Sequence, residues 1–352
     1  HQPKKILIIR FSSLGDLILT SPIYRELRKT YPDAHLTLLT SLGFGDVLDN
    51  NPHLDCIIKH PRKESFLELN QLIQNLEAEK FDLIYDAHCS MRSRWIVGRL
   101  TDFGIKNNPI IWKISKRTLY RQMLIRFGWN HLKNGLSQRE QWLLPLKQQS
   151  PGDFDASTQL FPGKKEQARV DKLMRQHGLE PGGFIAMGPS ASQPLKCWPL
   201  SHFRQLTQML IDSKWQIVLV GGPDEPEAEL LEEEFKNEII NCAGQLSPLE
   251  SAELLRCAKY LVANDTSLVH LAEAMGTPST AIFGPTVREF GYAPFLSESQ
   301  LVETKMSLRC RPCSANGSGL CKNPETLACL DSISPQTIFK SLNLDQKFER
   351  RL

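Results

Sequence analysis

Asp265, Thr266 and Ser267 follow the apolar run YLVA (260–263) after one asparagine, and His270 stands three residues beyond the serine. A hydroxyl, the amides of Ser267 and Leu268 and an imidazole would there converge where a helix begins. The first N–H groups of a helix lack intrahelical partners and its dipole favours negative charge, so such a turn can cradle a pyrophosphate. Taken alone, the same stretch describes a capped helix with a packed histidine. Two other strand ends change the reading. In GPSASQPLKCWPL (188–200), Ser190 and Ser192 are followed by Lys196, a mobile point charge suited to a phosphate or a departing diphosphate. In RFSSLGD (10–16), small residues and one glycine precede Asp16, which can serve as a helix-capping carboxylate or as a general base. A single glycine makes neither a dinucleotide fingerprint nor a P-loop.

These three turns need strands and helices to hold them. KKILIIRF, AHLTLLT, DCIIKH and FDLIYDAH are short apolar runs that suit strands of a parallel sheet, and helical patterns lie between them at LILTSPIYRELRKTYP and ESFLELNQLIQNLEAEK. Residues 135–183, rich in Pro, Gly, Gln and Ser, carry the signature of a linker ahead of an amphipathic helix at EQARVDKLMRQHG. The alternation then restarts with FIAMGPS, SHFRQLTQMLIDS, WQIVLVGG, an acidic helix from Glu225, IINCAG, SPLESAELLRCA, YLVAND, SLVHLAEAMG and STAIFGPT. The expectation is an α/β protein of two doubly wound, Rossmann-like domains facing across a cleft, divided at 1–165 and 166–335, with a final helix over 336–352 packing back on the first domain.

A chain of 352 residues is long for one domain and comfortable for two. The net charge of +3 is too small to mark a nucleic-acid binder, but its distribution is uneven. From Phe103 to Arg139 there is no acid, while Lys106, Lys113, Lys116, Arg117, Arg121, Arg126 and Lys133 are interleaved with Trp112, Tyr120, Phe127 and Trp129. That stretch reads as a membrane-facing surface; a nucleic-acid groove would look similar in composition and is the minor reading, since no nucleic-acid module is recognised. Asp224 to Glu238 is acidic in contrast. No run approaches the roughly 20 apolar residues of a spanning helix, and no signal-peptide pattern opens the chain, so a cytoplasmic protein touching a membrane surface is expected. Nine cysteines fit a reducing compartment.

The first strand and turn, KKILIIRFSSLGDLILTSPIYRELRKTYPDAHLTLLTS, together with NDTSLVHLAEAMGTPSTAIFGPT, resemble the bacterial lipopolysaccharide heptosyltransferases of glycosyltransferase family 9, in order and over nearly the whole chain. The resemblance implies a GT-B fold, an ADP-heptose donor, inversion at the anomeric carbon and a lipid A-linked inner-core acceptor. It makes Asp16 the catalytic base and Lys196 the lysine at the donor phosphates. Asp265, Thr266, Ser267, Leu268 and His270 become the pyrophosphate- and sugar-binding turn, with Ser267 where the family more often has glycine. Ser190 and Ser192 fall on the donor side, and Glu225 falls where the family places a carboxylate near the adenosine ribose.

Ser13, Arg62, Lys63, His88 and Arg92 lie at strand ends of the first half and are assigned to the acceptor, because basic and hydroxyl-bearing edges suit carboxylates and phosphates. With the base in one domain and the lysine in the other, domain closure is the expected gate. No DxD pair stands at a strand end, so no metal or other cofactor is expected. Cys310, Cys313, Cys321 and Cys329 have ligand-like spacing; the resemblance ranks reduced thiols or a local disulfide ahead of zinc. The partners implied are ADP-heptose, the lipopolysaccharide inner core and a transient contact with the cytoplasmic face of the inner membrane, without nucleic acid. The competing readings are a GT-B nucleotide-sugar isomerase, a transferase using another nucleotide sugar, and a non-catalytic binder.

Overall fold

The computed structural model describes residues 2–101, 108–132, 135–150, 152–223 and 225–344. Phe103, Lys106, Lys133, Asp224 and the last eight residues of the final segment, named above, lie outside them. In chain order the elements are β1 (Lys5–Ile9), α1 (Leu14–Leu19), α2 (Ser21–Thr30), β2 (His35–Ser41), β3 (Cys56–His60), α3 (Phe66–Glu79), β4 (Leu83–Asp86), α4 (Met91–Thr101), β5 (Ile110–Lys113), α5 (Thr118–Phe127) and α6 (Gln138–Gln149). They continue with α7 (Lys164–His177), β6 (Phe184–Gly188), α8 (Leu200–Asp212), β7 (Gln216–Leu219), α9 (Pro226–Phe235), β8 (Ile239–Asn241), α10 (Pro248–Cys257), β9 (Tyr260–Asn264), α11 (Ser267–Ala274), β10 (Ser279–Phe283), β11 (Gln300–Glu303), α12 (Ala328–Asp331) and α13 (Pro335–Ser341).

Two compact units result, 1–117 with 136–161 and 118–135 with 162–352. The first holds a five-stranded sheet in the order β3-β2-β1-β4-β5, the second a six-stranded sheet in the order β11-β10-β9-β6-β7-β8. Every pairing is parallel. Ile6 to Ile9 and Phe184 to Met187 are wholly buried, as strands covered by helices on both faces must be. In each sheet the order reverses beside the first strand, β1 against β4 and β6 against β9. Loops leaving the carboxyl ends of those neighbours diverge and leave a crevice, where doubly wound sheets bind ligands.

Three local differences from the sequence reading have physical causes. The helix expected over 17–32 is broken at Thr20, because Pro22 cannot donate to the turn before it. The carbonyls of Leu17 and Ile18 instead accept from the hydroxyls of Thr20 and Ser21, both at 2.7 Å. Part of the expected linker is helical: α6 starts at a Ser137–Glu140 capping box and tolerates Pro145 because Trp142, Leu143 and Leu146 are buried. This returning segment is tied to the first unit by Arg25, which donates to the carbonyls of Asp155 at 2.6 Å and Ser157 at 3.1 Å.

The boundary is the third difference. Residues 118–135 precede the expected division near 165 yet belong to the second unit, because Leu124 and Leu132 bury themselves against Val287 and Phe290. Arg121 adds a hydrogen bond to the Phe290 carbonyl at 3.1 Å. At the other end, α13 packs on α8 within the second unit, with Ile338 and Leu342 in that unit's core. Among the described residues no helix is long and apolar enough to cross a membrane.

Candidate active site

In the first unit the site begins where β1 ends. Arg10 follows the last residue of that strand and is buried, so its charge must be met inside the protein. It pairs with Asp16 Oδ2 at 2.5 Å, donates to the Ala87 carbonyl at 2.6 Å and to the Ser12 carbonyl at 3.0 Å, and lies 4.4 Å from the Trp142 ring. Asp16 also closes a capping box with Ser13, whose N–H donates to Oδ2 at 3.2 Å and whose hydroxyl lies 3.4 Å from it. All three contacts fall on Oδ2. Oδ1 makes no hydrogen bond among the described residues. The capping role considered for Asp16 thus uses Oδ2 and leaves Oδ1 uncommitted.

The next turn, after β4, rests on Asp86, which is fully buried and accepts from the N–H groups of His88 (3.0 Å) and Cys89 (2.7 Å) and from the Ser93 hydroxyl (3.1 Å). His88 packs edge-on against Phe11, with ring centroids 5.4 Å apart. Burial, with the positive charges of Arg10 and Lys116 beside it, pushes the His88 imidazole down to about 4. It is a neutral hydrogen-bonding group at neutral pH. The unfolded chain regains an ordinary imidazole, so it binds a proton that the folded chain refuses as pH falls from about 6.5 towards 4. Stability present above that window is expected to be lost across it, and His88→Gln should lessen the loss. Denaturant midpoints at pH 7 and pH 5 check this; an equal drop in both proteins would remove His88 as the cause.

The other acceptor candidates are placed differently. Arg92 is held by Glu64 at 2.6 Å and by the Pro61 carbonyl at 3.1 Å, and it stacks 4.2 Å from the Phe11 ring, so it is braced beside His88. Arg62 and Lys63 are exposed on the turn after β3, with the Arg62 guanidinium 5.6 Å from the Phe44 ring.

In the second unit, Lys196 sits in a single 3-10 turn (Pro194–Lys196) and reaches the loop after β9, placing Nζ 2.8 Å from Asp265 Oδ2 and 3.1 Å from the Asp265 carbonyl. The Thr286 hydroxyl donates to the same Oδ2 at 2.6 Å. Thr266 is the N-cap of α11, but its side chain makes no cap bond, and its buried Oγ1 has no hydrogen-bond partner. Ser267 and Leu268 are the first two residues of the helix, one turn before the buried His270, whose ring lies 6.3 Å from that of Tyr292. Ser267 lies outside the left-handed region, so a serine fits where the family more often has glycine. The close approach is met instead at Gly188, where an added Cβ would lie 2.5 Å from Leu268 Cδ1.

Gly317 presses on Lys196 in the same way. An added Cβ would lie 2.8 Å from Lys196 Cγ, and φ is +79°. Gly317→Ala is expected to cost about 1–3 kcal/mol of stability and to raise the donor KM severalfold by displacing the lysine. A melting curve and donor saturation check it; unchanged values in both would mean that Lys196 repacks freely.

Ser190 lies just past the end of β6, and Glu225 is the N-cap of α9, on the connection after β7. The Ser190 hydroxyl donates to Glu227 at 2.7 Å, and Glu225 Oε1 accepts from the Gly222 N–H at 2.8 Å. Burial, and then the neighbouring Glu227 charge, raise the Glu225 carboxyl above its ordinary range, and its Oε2 is buried without a hydrogen-bond partner. Ser192 is exposed.

Sequence reading missed Arg10, Asp86, Asn264 and Thr286. Asn264, wholly buried, ties the two loops together by accepting from the Trp198 N–H at 3.0 Å and donating to the Pro189 carbonyl at 2.7 Å. The available signal was a polar residue at the end of an apolar strand, present at Arg10, Asp86 and Asn264 alike. All nine cysteines are free thiols, and burial with its three cysteine neighbours pushes Cys313 up to about 11. Among the described residues no group of three or more His, Cys, Asp or Glu side chains is placed to hold a metal ion.

The profile of glycosyltransferase family 9 (heptosyltransferase) matches residues 69–320, well over half of the chain. The chain belongs to glycosyltransferase family 9. It is an enzyme, a glycosyltransferase. It is 24% identical over 311 residues to lipopolysaccharide heptosyltransferase 2 of Escherichia coli (strain K12), covering 81% of this chain and 84% of that one. Among solved structures, a glycosyltransferase family 9 protein from Veillonella parvula superimposes with a TM-score of 0.78 at 19% identity, covering 96% of this chain and 95% of that one. An E. coli heptosyltransferase solved with ADP-2-deoxy-2-fluoro heptose gives 0.66 at 19% identity, covering 97% and 100%. The fold class is GT-B, two Rossmann-like units each with its own parallel sheet.

Proposed function

We propose that this family 9 glycosyltransferase moves heptose from ADP-heptose to the inner core of lipopolysaccharide, with inversion at the anomeric carbon. The observation that carries the reading is Asp16: a carboxylate at the crevice of the first sheet, with one oxygen fixed by Arg10 and Ser13 and the other uncommitted. In a single displacement the acceptor hydroxyl attacks the anomeric carbon as ADP leaves, and Asp16 Oδ1 takes the hydroxyl proton. Negative charge grows on the departing diphosphate. Lys196 and the first amides of α11 meet it, held in advance by the Asp265 and Asn264 bonds so that little reorganisation accompanies the reaction. Ser190 and Glu225 bind the ribose side of the nucleotide. Ser13, His88, Arg92, Arg62 and Lys63 receive the acceptor, His88 as a neutral hydrogen-bond partner and the arginines through carboxylate or phosphate.

The ADP-heptose donor is supported by the relative solved with an ADP-fluoroheptose, and the acceptor by the lipopolysaccharide heptosyltransferase among the relatives. A lipid-linked acceptor places the enzyme at the cytoplasmic face of the inner membrane, in transient contact with its surface. The test is a donor screen against purified, truncated lipopolysaccharides read by mass spectrometry. A product heavier by one heptose with ADP-heptose supports the reading. Preference for a UDP-sugar refutes the donor assignment, and turnover of the sugar nucleotide without transfer favours an isomerase.

A further inference from the structure

The second unit contains a cavity of about 430 Å³ that the transfer chemistry does not use. Its walls are the end of α5 with Gly128, and residues 308–311 of the loop after β11, joined by α5's packing on Val287 and Phe290. Leu124, Ile125, Phe127 and Leu308 supply apolar wall, and Arg126, Arg309 and Arg311 supply charge. Arg311 is committed to the carbonyls of Gly284 (2.6 Å) and Thr286 (2.8 Å) and to Glu303. Arg126 and Arg309 are exposed and have no ion-pair partner among the described residues.

No acid competes for them nearby in the chain. Residues 103–139 and 304–324 contain no Asp or Glu, and these two separate stretches contribute all of the lining residues. Around the α5 wall, Leu119, Tyr120, Phe127 and Trp129 are exposed at 65%, 46%, 63% and 59%, with the Phe127 and Trp129 rings 5.3 Å apart. Two unpaired guanidinium groups on a partly apolar cavity, beside exposed aromatic side chains, match a phosphate that carries hydrocarbon: the cations take the headgroup, and the aromatics lie at the level of the interface. A free phosphate would have no use for the apolar wall. The volume lies within the range of small-molecule sites.

We propose that this cavity is a seat for the phosphate of an anionic phospholipid, and that α5 is the element by which the enzyme rests on a membrane. The inference deepens the membrane contact read above and rests on it. The full-length enzyme is tested by co-sedimentation with vesicles of phosphatidylcholine alone and of phosphatidylcholine mixed with phosphatidylglycerol. Wild-type protein is expected to pellet with the mixed vesicles, and the Arg126→Gln/Arg309→Gln double variant to lose about 30-fold in partitioning, roughly fivefold for each arginine at the ~1 kcal/mol of a basic residue near an anionic surface. Phe127→Ser should weaken binding to the same vesicles. Transfer to a soluble, delipidated acceptor should be unchanged in all of these variants, which also shows that they are folded.

Equal partitioning of the double variant and wild type overturns the proposal, as does wild-type binding that ignores phosphatidylglycerol or is absent. Saturable binding of inorganic phosphate at these arginines without vesicle binding assigns the cavity to a free anion instead. Wild-type preference for a single-stranded oligonucleotide over vesicles would make the surface a nucleic-acid groove. A wild-type enzyme that pellets with anionic vesicles yet transfers nothing to the soluble acceptor counts against the proposed function and leaves the lipid seat standing.

Discussion

Asp16→Asn should lower transfer by about 10²- to 10⁴-fold, the usual contribution of a positioned general base, while ADP affinity stays at the wild-type value. Asparagine keeps the shape of the side chain, and its carbonyl oxygen can still accept from Arg10 and the Ser13 N–H. What it removes is the capacity to take a proton. Alanine is a poorer probe: it leaves Arg10, whose side chain is 6% exposed, as an unpaired buried charge, and breaking a buried pair costs about 3–5 kcal/mol. Asp16→Ala is therefore expected to lose stability as well as activity. Single-turnover transfer and ADP titration calorimetry on the asparagine variant check the assignment. Turnover within a few-fold of wild type would remove Asp16 as the base.

Lys196→Met should lower kcat by about 10²- to 10³-fold, as removal of a preorganised charge at a developing anion does. It should also weaken ADP binding by roughly tenfold or more, the scale of a lost charge-assisted hydrogen bond. Both effects are expected because Asp265 holds Nζ at the β6 and β9 strand ends. Arginine should not rescue, since a planar guanidinium does not reproduce the compact ammonium that Asp265 Oδ2 and the Asp265 carbonyl hold. Calorimetry with ADP and rapid-quench transfer measure the two terms separately. A variant with wild-type ADP affinity and kcat would place the diphosphate elsewhere in the second unit.

Much of this site is legible along the chain because its motifs are local. An apolar run that stops at small polar residues and opens a helix announces a strand end wherever it occurs, and RFSSLGD, GPSASQPLK and NDTSLVH do so within a few residues each. The twofold repeat of alternating strands and helices, and the polar character of each turn, follow from hydrophobic period and residue type. The pairings that make the turns functional are not local. Lys196 meets Asp265 and packs on Gly317, and Asn264 joins loops far apart in sequence. No pattern of a few residues can encode such distances.

Strand order is the clearest case. Local propensity is satisfied by any order of parallel strands. The burial of both sheet faces and the crossovers between strands set β1 beside β4, and so put Asp16 and His88 at one crevice; the same causes set β6 beside β9 for Lys196 and Asp265. Residues 118–135 show the converse. Their apolar and basic pattern was visible, but the unit they join depended on Val287 and Phe290 offering a complementary surface. Sequence alone thus marked which turns end a strand in polar residues and open a helix. Tertiary structure decided which of them meet, which oxygen of Asp16 stays open, and which arginines remain unpaired. Buried polar groups must find partners wherever the folded chain supplies them.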